Sequence, residues 1–143
     1  MRSKDSSQRL ARVGLAAPRL YSLFGLCLAA CAAGLATLAL YEREGLLTRA
    51  ASLAKYWEEA AHALRGLPHV ADVRNYGLIL GLELESLPGK VGTRAFDLFK
   101  RCFERGVLVR QTGDVVALSP PLIIEKTQID QIFDTVGELL RAQ

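Results

Sequence analysis

Apolar residues recur along this chain with two different periods, and the switches between them mark out its elements. From Leu20 to Tyr41 no charged residue occurs. This Ala- and Gly-rich run predicts a helix that continues into Tyr41-Glu42-Arg43-Glu44 and stops at Gly45. From Leu46 to Arg65 the residues Leu47, Ala50, Leu53, Ala54, Trp57, Ala61 and Leu64 fall at helical spacing, while Arg49, Lys55, Glu58 and Glu59 take the other face. That pattern predicts an amphipathic helix ended by Gly66-Leu67-Pro68, with Trp57 as a core anchor.

The period then changes. Val70 and Val73 lead into Arg74-Asn75-Tyr76-Gly77, and Leu78 to Leu84 reads as a strand interrupted by Gly81, which marks a bulge or a close backbone approach. After the Pro88-Gly89 turn, Thr93 to Arg105 reads as a helix stopped by Gly106, with Ala95, Leu98, Phe99, Cys102 and Phe103 inward. Val107 to Arg110 and Val115 to Leu118 predict two strands of a hairpin around Gln111-Thr112-Gly113-Asp114. Pro120-Pro121 forces an extended exit, and a last helix from about Lys126 to Arg141 buries Ile129, Ile132, Phe133, Val136 and Leu140. The order helix, helix, strand, strand, helix, strand, strand, helix implies an α+β fold, a small and mostly antiparallel sheet covered by helices on one side.

Composition narrows the function classes. A chain of 143 residues suits one compact domain, and its half-hydrophobic content argues against disorder. The net charge of +3 is modest and basic residues alternate with acids, so the clustered basic face that nucleic-acid binding needs is missing. Cys27, Cys31 and Cys102 form no disulfide framework, and His62 and His69 lie far from them, so buried reduced thiols in a cytoplasmic protein are expected and a metal site is not. The N-terminus leaves a second possibility open. Arg2, Lys4, Arg9, Arg12 and Arg19 precede an uncharged run long enough to span a bilayer, and Leu28-Ala29-Ala30-Cys31 has the form of a lipoprotein processing site. A membrane anchor through residues 20–41 and a buried helix packed closely against a neighbouring layer both account for this composition.

Four stretches taken in order resemble class III aminotransferases, and most closely the ω-amino acid:pyruvate (β-alanine:pyruvate) type. They are Ala30 to Leu47, rich in Ala and ending Tyr41-Glu42-Arg43-Glu44-Gly45-Leu46-Leu47; Tyr56-Trp57-Glu58-Glu59 with Leu64-Arg65-Gly66-Leu67-Pro68-His69-Val70; Arg74-Asn75-Tyr76-Gly77-Leu78 with Gly81-Leu82-Glu83-Leu84; and Gly106 to Asp114 through Ser119-Pro120-Pro121-Leu122-Ile123-Ile124. The resemblance divides the chain into a basic and apolar segment, 1–29, outside the family pattern and a C-terminal small domain, 30–143. It implies a pyridoxal-phosphate (PLP) enzyme of fold type I that works as a dimer and transfers an amino group between an amino donor and a keto acid.

One functional residue carries over. Arg110 matches the family arginine that pairs with the substrate carboxylate, a role suited to a planar guanidinium with two parallel donors. Thr112-Gly113-Asp114 and Pro120-Pro121 are expected to shape the backbone around it. No cofactor-binding residue carries over, because Leu20 to Ala29 lacks the family's threonine for the PLP phosphate. Nor is there a match for the Schiff-base lysine: Lys4 lies in a polar tail, and Lys55, Lys90, Lys100 and Lys126 fall on solvated positions. The expectation is therefore a chain that does not bind PLP or transaminate by itself. It would associate with an aminotransferase subunit or a second copy, and the alternatives are a membrane-anchored interaction module or a regulatory fragment.

Overall fold

The computed structural model describes residues 25–143; the basic residues up to Arg19, Lys4 among them, lie outside the described residues. The described chain divides at Glu44/Gly45 into two units. The first contributes helix α1, Gly25–Arg43, which is long and apolar enough to cross a membrane by length and composition. Within α1 the Thr37 hydroxyl donates to the Ala33 carbonyl one turn back at 2.8 Å, a local bond that lets a hydroxyl sit in an apolar helix. Cys27 and Cys31 are exposed on α1, which corrects the expectation of three buried thiols; Cys102 alone is buried.

The second unit opens at Gly45, whose φ of 60° is the left-handed conformation that breaks a helix. It runs α2 (Leu46–His62), β1 (Val70–Tyr76), β2 (Ile79–Leu84), α3 (Thr93–Glu104), β3 (Arg110–Thr112), β4 (Val115–Leu118) and α4 (Lys126–Arg141). All strand pairs are antiparallel, in the order β1-β2-β4-β3, so the open sheet has β1 and the short β3 as its edges. The element order and the α+β architecture agree with the hydrophobic pattern.

Strand alternation explains the layering. Leu80, Leu82 and Leu84 of β2, Val116 and Leu118 of β4 and Val73 of β1 are buried together against the helices. Trp57 of α2 is fully buried and meets Phe133 of α4 edge to face, with ring centroids 4.8 Å apart. The Arg49 side chain donates to the carbonyls of Ile124 (2.9 Å) and Ile123 (3.3 Å), tying the segment before α4 to α2. The α4 N-terminus is closed by a reciprocal capping box between Glu125 and Gln128.

Several local expectations fail for physical reasons. Val107 to Val109 pair with no strand, and β3 begins only at Arg110, because β4 is four residues long and its partners are Arg110 to Thr112. Gly81 sits in unbroken register between Arg74 and Ala117, and the irregularity of β1–β2 falls between Val70 and Asp72 instead. Leu78 belongs to the tight turn with Gly77, and α2 ends at His62 rather than Arg65. Leu47 and Phe103, placed inward by periodicity, are exposed by 65% and 64%, each on the flank of its apolar stripe beyond the reach of the neighbouring layer.

Candidate functional site

Arg110 is the first residue of β3 and pairs with Ala117 of β4. Its neighbour Gln111 pairs with the buried Val116, so Arg110 projects from the opposite side, the face of the sheet that the helices leave open. Across that face Arg110, Ala117, Gly81 and Arg74 form one row of paired positions. The two small residues make a flat floor between two arginines. Arg74 is committed, with its guanidinium 2.9 Å from Glu83 and 3.6 Å from Asp72. Arg110 is exposed, and among the described residues its side chain has no hydrogen bond or ion pair.

That freedom sets it apart. Arg141 excepted, the other described arginines are each held by a carboxylate or a backbone carbonyl: Arg43 by Glu44, Arg49 by Ile124, Arg65 by Val73, Arg94 by Glu85, Arg101 by Asp97 and Arg105 by Glu138. Arg141 stands in the last turn of α4, where a cation complements the helix dipole. Arg110 has no such structural duty. It lines a cavity of about 420 Å³ with Phe96, Phe99, Leu108, Val109, Gln111, Ala117 and Ser119. Phe96 and Phe99 stack at 6.0 Å on the α3 side, so this cavity at the sheet edge is lined by both a cation and an apolar pair. Such an arrangement suits a small organic carboxylate: two parallel N–H donors for the anion and apolar surface for its carbon skeleton.

The hairpin carrying Arg110 is closed by Gly113 and Asp114. Gly113 takes a φ of 57°, and its carbonyl accepts from the Gln111 side chain at 2.5 Å. The Asp114 carboxylate accepts from the Ser86 hydroxyl and, at 2.7 Å, from the Gly92 backbone N–H. These two bonds, the Ser86 one first, hold its carboxyl below the usual carboxylate range. Neither Ser86 nor Gly92 stands out in the sequence as a site residue. The one signal was Gly92 itself, a glycine immediately before a helix.

The described residues do not fit PLP. A lysine that forms a Schiff base needs desolvation or a neighbouring cation to be an amine near neutral pH. Lys55 and Lys100 have side chains 84% and 52% exposed and are paired with Glu59 and Asp97, so neither is desolvated or set beside a cation. Lys90 and Lys126 are exposed as well, the latter with its ammonium 4.8 Å from the centre of the Tyr56 ring. Among the described residues there is also no group of three or more His, Cys, Asp or Glu able to hold a metal ion.

An open antiparallel four-stranded sheet with helices on one face makes this an α+β domain with an arginine at the start of an edge strand. The family model for class-III aminotransferases matches residues 22–140, and the chain belongs to that family. It is 52% identical over 111 residues to an omega-aminotransferase of Caulobacter vibrioides, covering 78% of this chain and 25% of that protein. It is 35% identical over 111 residues to an omega-amino acid–pyruvate aminotransferase of Pseudomonas putida, again 78% of this chain and 25% of the relative. Among solved structures, a transaminase with L-alanine superposes with a TM-score of 0.70 at 32% identity, covering 76% of this chain and 26% of that one. The chain thus spans about a quarter of the length of the relatives it matches.

Proposed function

We propose that this chain supplies the carboxylate-recognising part of an ω-amino acid:pyruvate transamination, with Arg110 as the residue that receives the substrate carboxylate. The observation that carries this reading is the uncommitted Arg110 guanidinium on an open sheet face beside an apolar wall. The names of the relatives support the reaction class, an amino group passing from an amino acid to a keto acid. Arg110 would hold the carboxylate through two charge-assisted hydrogen bonds, and Phe96, Phe99 and Leu108 would keep water from the carbon skeleton. PLP is the family's electron sink, supplied when bound by groups other than the exposed lysines described above. On this reading the 143 residues do not transaminate by themselves, and turnover draws on cofactor-holding groups outside the described residues.

The test is a pair of titrations on the purified chain. Pyruvate is expected to bind, and Arg110→Ala to weaken that binding by a factor on the order of tenfold to a hundredfold, the worth of a hydrogen bond to a charged group. Added PLP is expected to show no stoichiometric absorbance change. A stoichiometric change that disappears when a single lysine is replaced would overturn the claim that this chain lacks cofactor chemistry. Pyruvate binding unaffected by Arg110→Ala would remove Arg110 from the site.

A further inference from the structure

Arg110 stands on a three-residue edge strand, and an edge strand this short has little hydrogen bonding of its own to fix its position. Asp114 supplies what the strand lacks. Its backbone carbonyl accepts from Leu84 N–H at 2.9 Å, and its carboxylate reaches out of the hairpin to Ser86 and to Gly92 N–H. One residue therefore joins the β3–β4 turn, the end of β2 and the start of α3.

The Gly92 bond determines more than the turn. Gly92 is the N-cap of α3 and has no side chain of its own with which to cap that end of the helix. Its φ of 78° favours glycine, and a Cβ there would lie 3.0 Å from the Gly113 carbonyl oxygen, tighter than nine in ten real Cβ contacts. The helix start and the hairpin turn thus touch backbone to backbone. Phe96 follows one turn later, its N–H bonded to the Gly92 carbonyl at 2.9 Å, and Phe99 follows about one turn after that. These two rings form the wall of the cavity that Arg110 lines. A tilt of α3 about its N-terminus would change the distance between that wall and the guanidinium.

We infer that Asp114 is a positioning residue for carboxylate binding at Arg110, fixing the spacing between the hairpin and the aromatic wall of α3 without touching the ligand. This rests on the reading of Arg110 given above. The carboxylate is well suited to the task, since it stays ionised at neutral pH and lies where the α3 dipole favours an anion, a turn that holds no acidic residue of its own.

The test uses the full chain and pyruvate as the probe, followed by NMR at the Arg110 side-chain N–H and the Gly92 amide. Asp114→Ala is expected to raise the pyruvate dissociation constant by about tenfold, as for loss of a charge-assisted hydrogen bond. It should also move the Arg110 resonance in the absence of ligand. Asp114→Asn, which keeps an acceptor for Gly92 N–H, is expected to recover most of the affinity, and Ser86→Ala to cause a smaller loss. A drop in thermal stability with unchanged affinity in Asp114→Ala would sink the proposal. Should that variant fail to fold, wild-type affinity in Ser86→Ala would do the same. The Arg110→Ala control separates the two readings: binding that depends on Arg110 but not on Asp114 overturns only the positioning role, and binding that ignores Arg110 overturns both.

Discussion

Cys102 differs from Cys27 and Cys31 in one physical variable, access to water. Burial pushes the Cys102 thiol up to about 11, and the opposing pull of Arg101 and Arg105 is too weak to cancel it. Cys27 and Cys31 are exposed on α1. Alkylation needs both a thiolate and a path to it. Iodoacetamide at about pH 8 should therefore modify Cys27 and Cys31 in the folded chain and spare Cys102, while denaturant should open all three, as read by mass spectrometry. Equal rates at the three sites would contradict the burial of Cys102. The expectation of three buried thiols misread α1 because a helix apolar on every side has no polar stripe to tell inside from outside. Arg110 was legible in a different way. Its local pattern is that of any arginine beside a turn, and only the resemblance singled it out; what the structure adds is that it has no partner among the described residues while most other described arginines do. The Asp114 contacts were not legible, since Ser86 and Gly92 lie 28 and 22 positions away and strand register alone brings them together.

Among the elements, α2 and α4 depend most on one contact. Trp57 and Phe133 meet edge to face in the centre of the cluster that also holds Ala61, Leu64, Ile129 and Val136. Trp57→Ala is expected to cost about 3–5 kcal/mol, the range for deleting a large buried aromatic. Trp57→Phe should cost less, with urea unfolding followed by circular dichroism as the measurement. A loss under about 1 kcal/mol for Trp57→Ala would mean that the two helices are held by something else. The order of the seven elements after Gly45 could be read from the sequence because the longer ones keep one period throughout, 3.6 in the helices and 2 in the strands, whereas α1 was read from its length and its stop at Gly45. Boundaries failed where two local tendencies compete. Val107-Leu108-Val109 has strand-forming composition, and Val107 and Val109 are buried, yet no strand lies within reach to pair with them. Gly81 looked like a bulge by residue type, but it sits in regular register between Arg74 and Ala117, where a Cβ would make only ordinary contacts.

On the scale of the whole molecule, the hydrophobic core cluster and the side chains packed against it start at Ala50, inside the unit from Gly45 to Gln143. A chain cut to residues 45–143 is expected to unfold in a single cooperative step at a temperature within a few degrees of the full chain. α1 then poses a separate question. Its length and composition would let it cross a bilayer, but the same tests are passed by helices of soluble proteins. The family match begins at residue 22 and so includes α1 and its Ala- and Gly-rich sequence. On that reasoning the full chain, expressed and fractionated, should appear in the soluble fraction, and the 45–143 form should partition in the same way. Full chain recovered only in membranes and resistant to alkaline extraction, with 45–143 soluble, would instead make α1 an anchor. The carboxylate site would then sit on a membrane-tethered domain, since nothing in the core that supports Arg110 requires α1 to be in water.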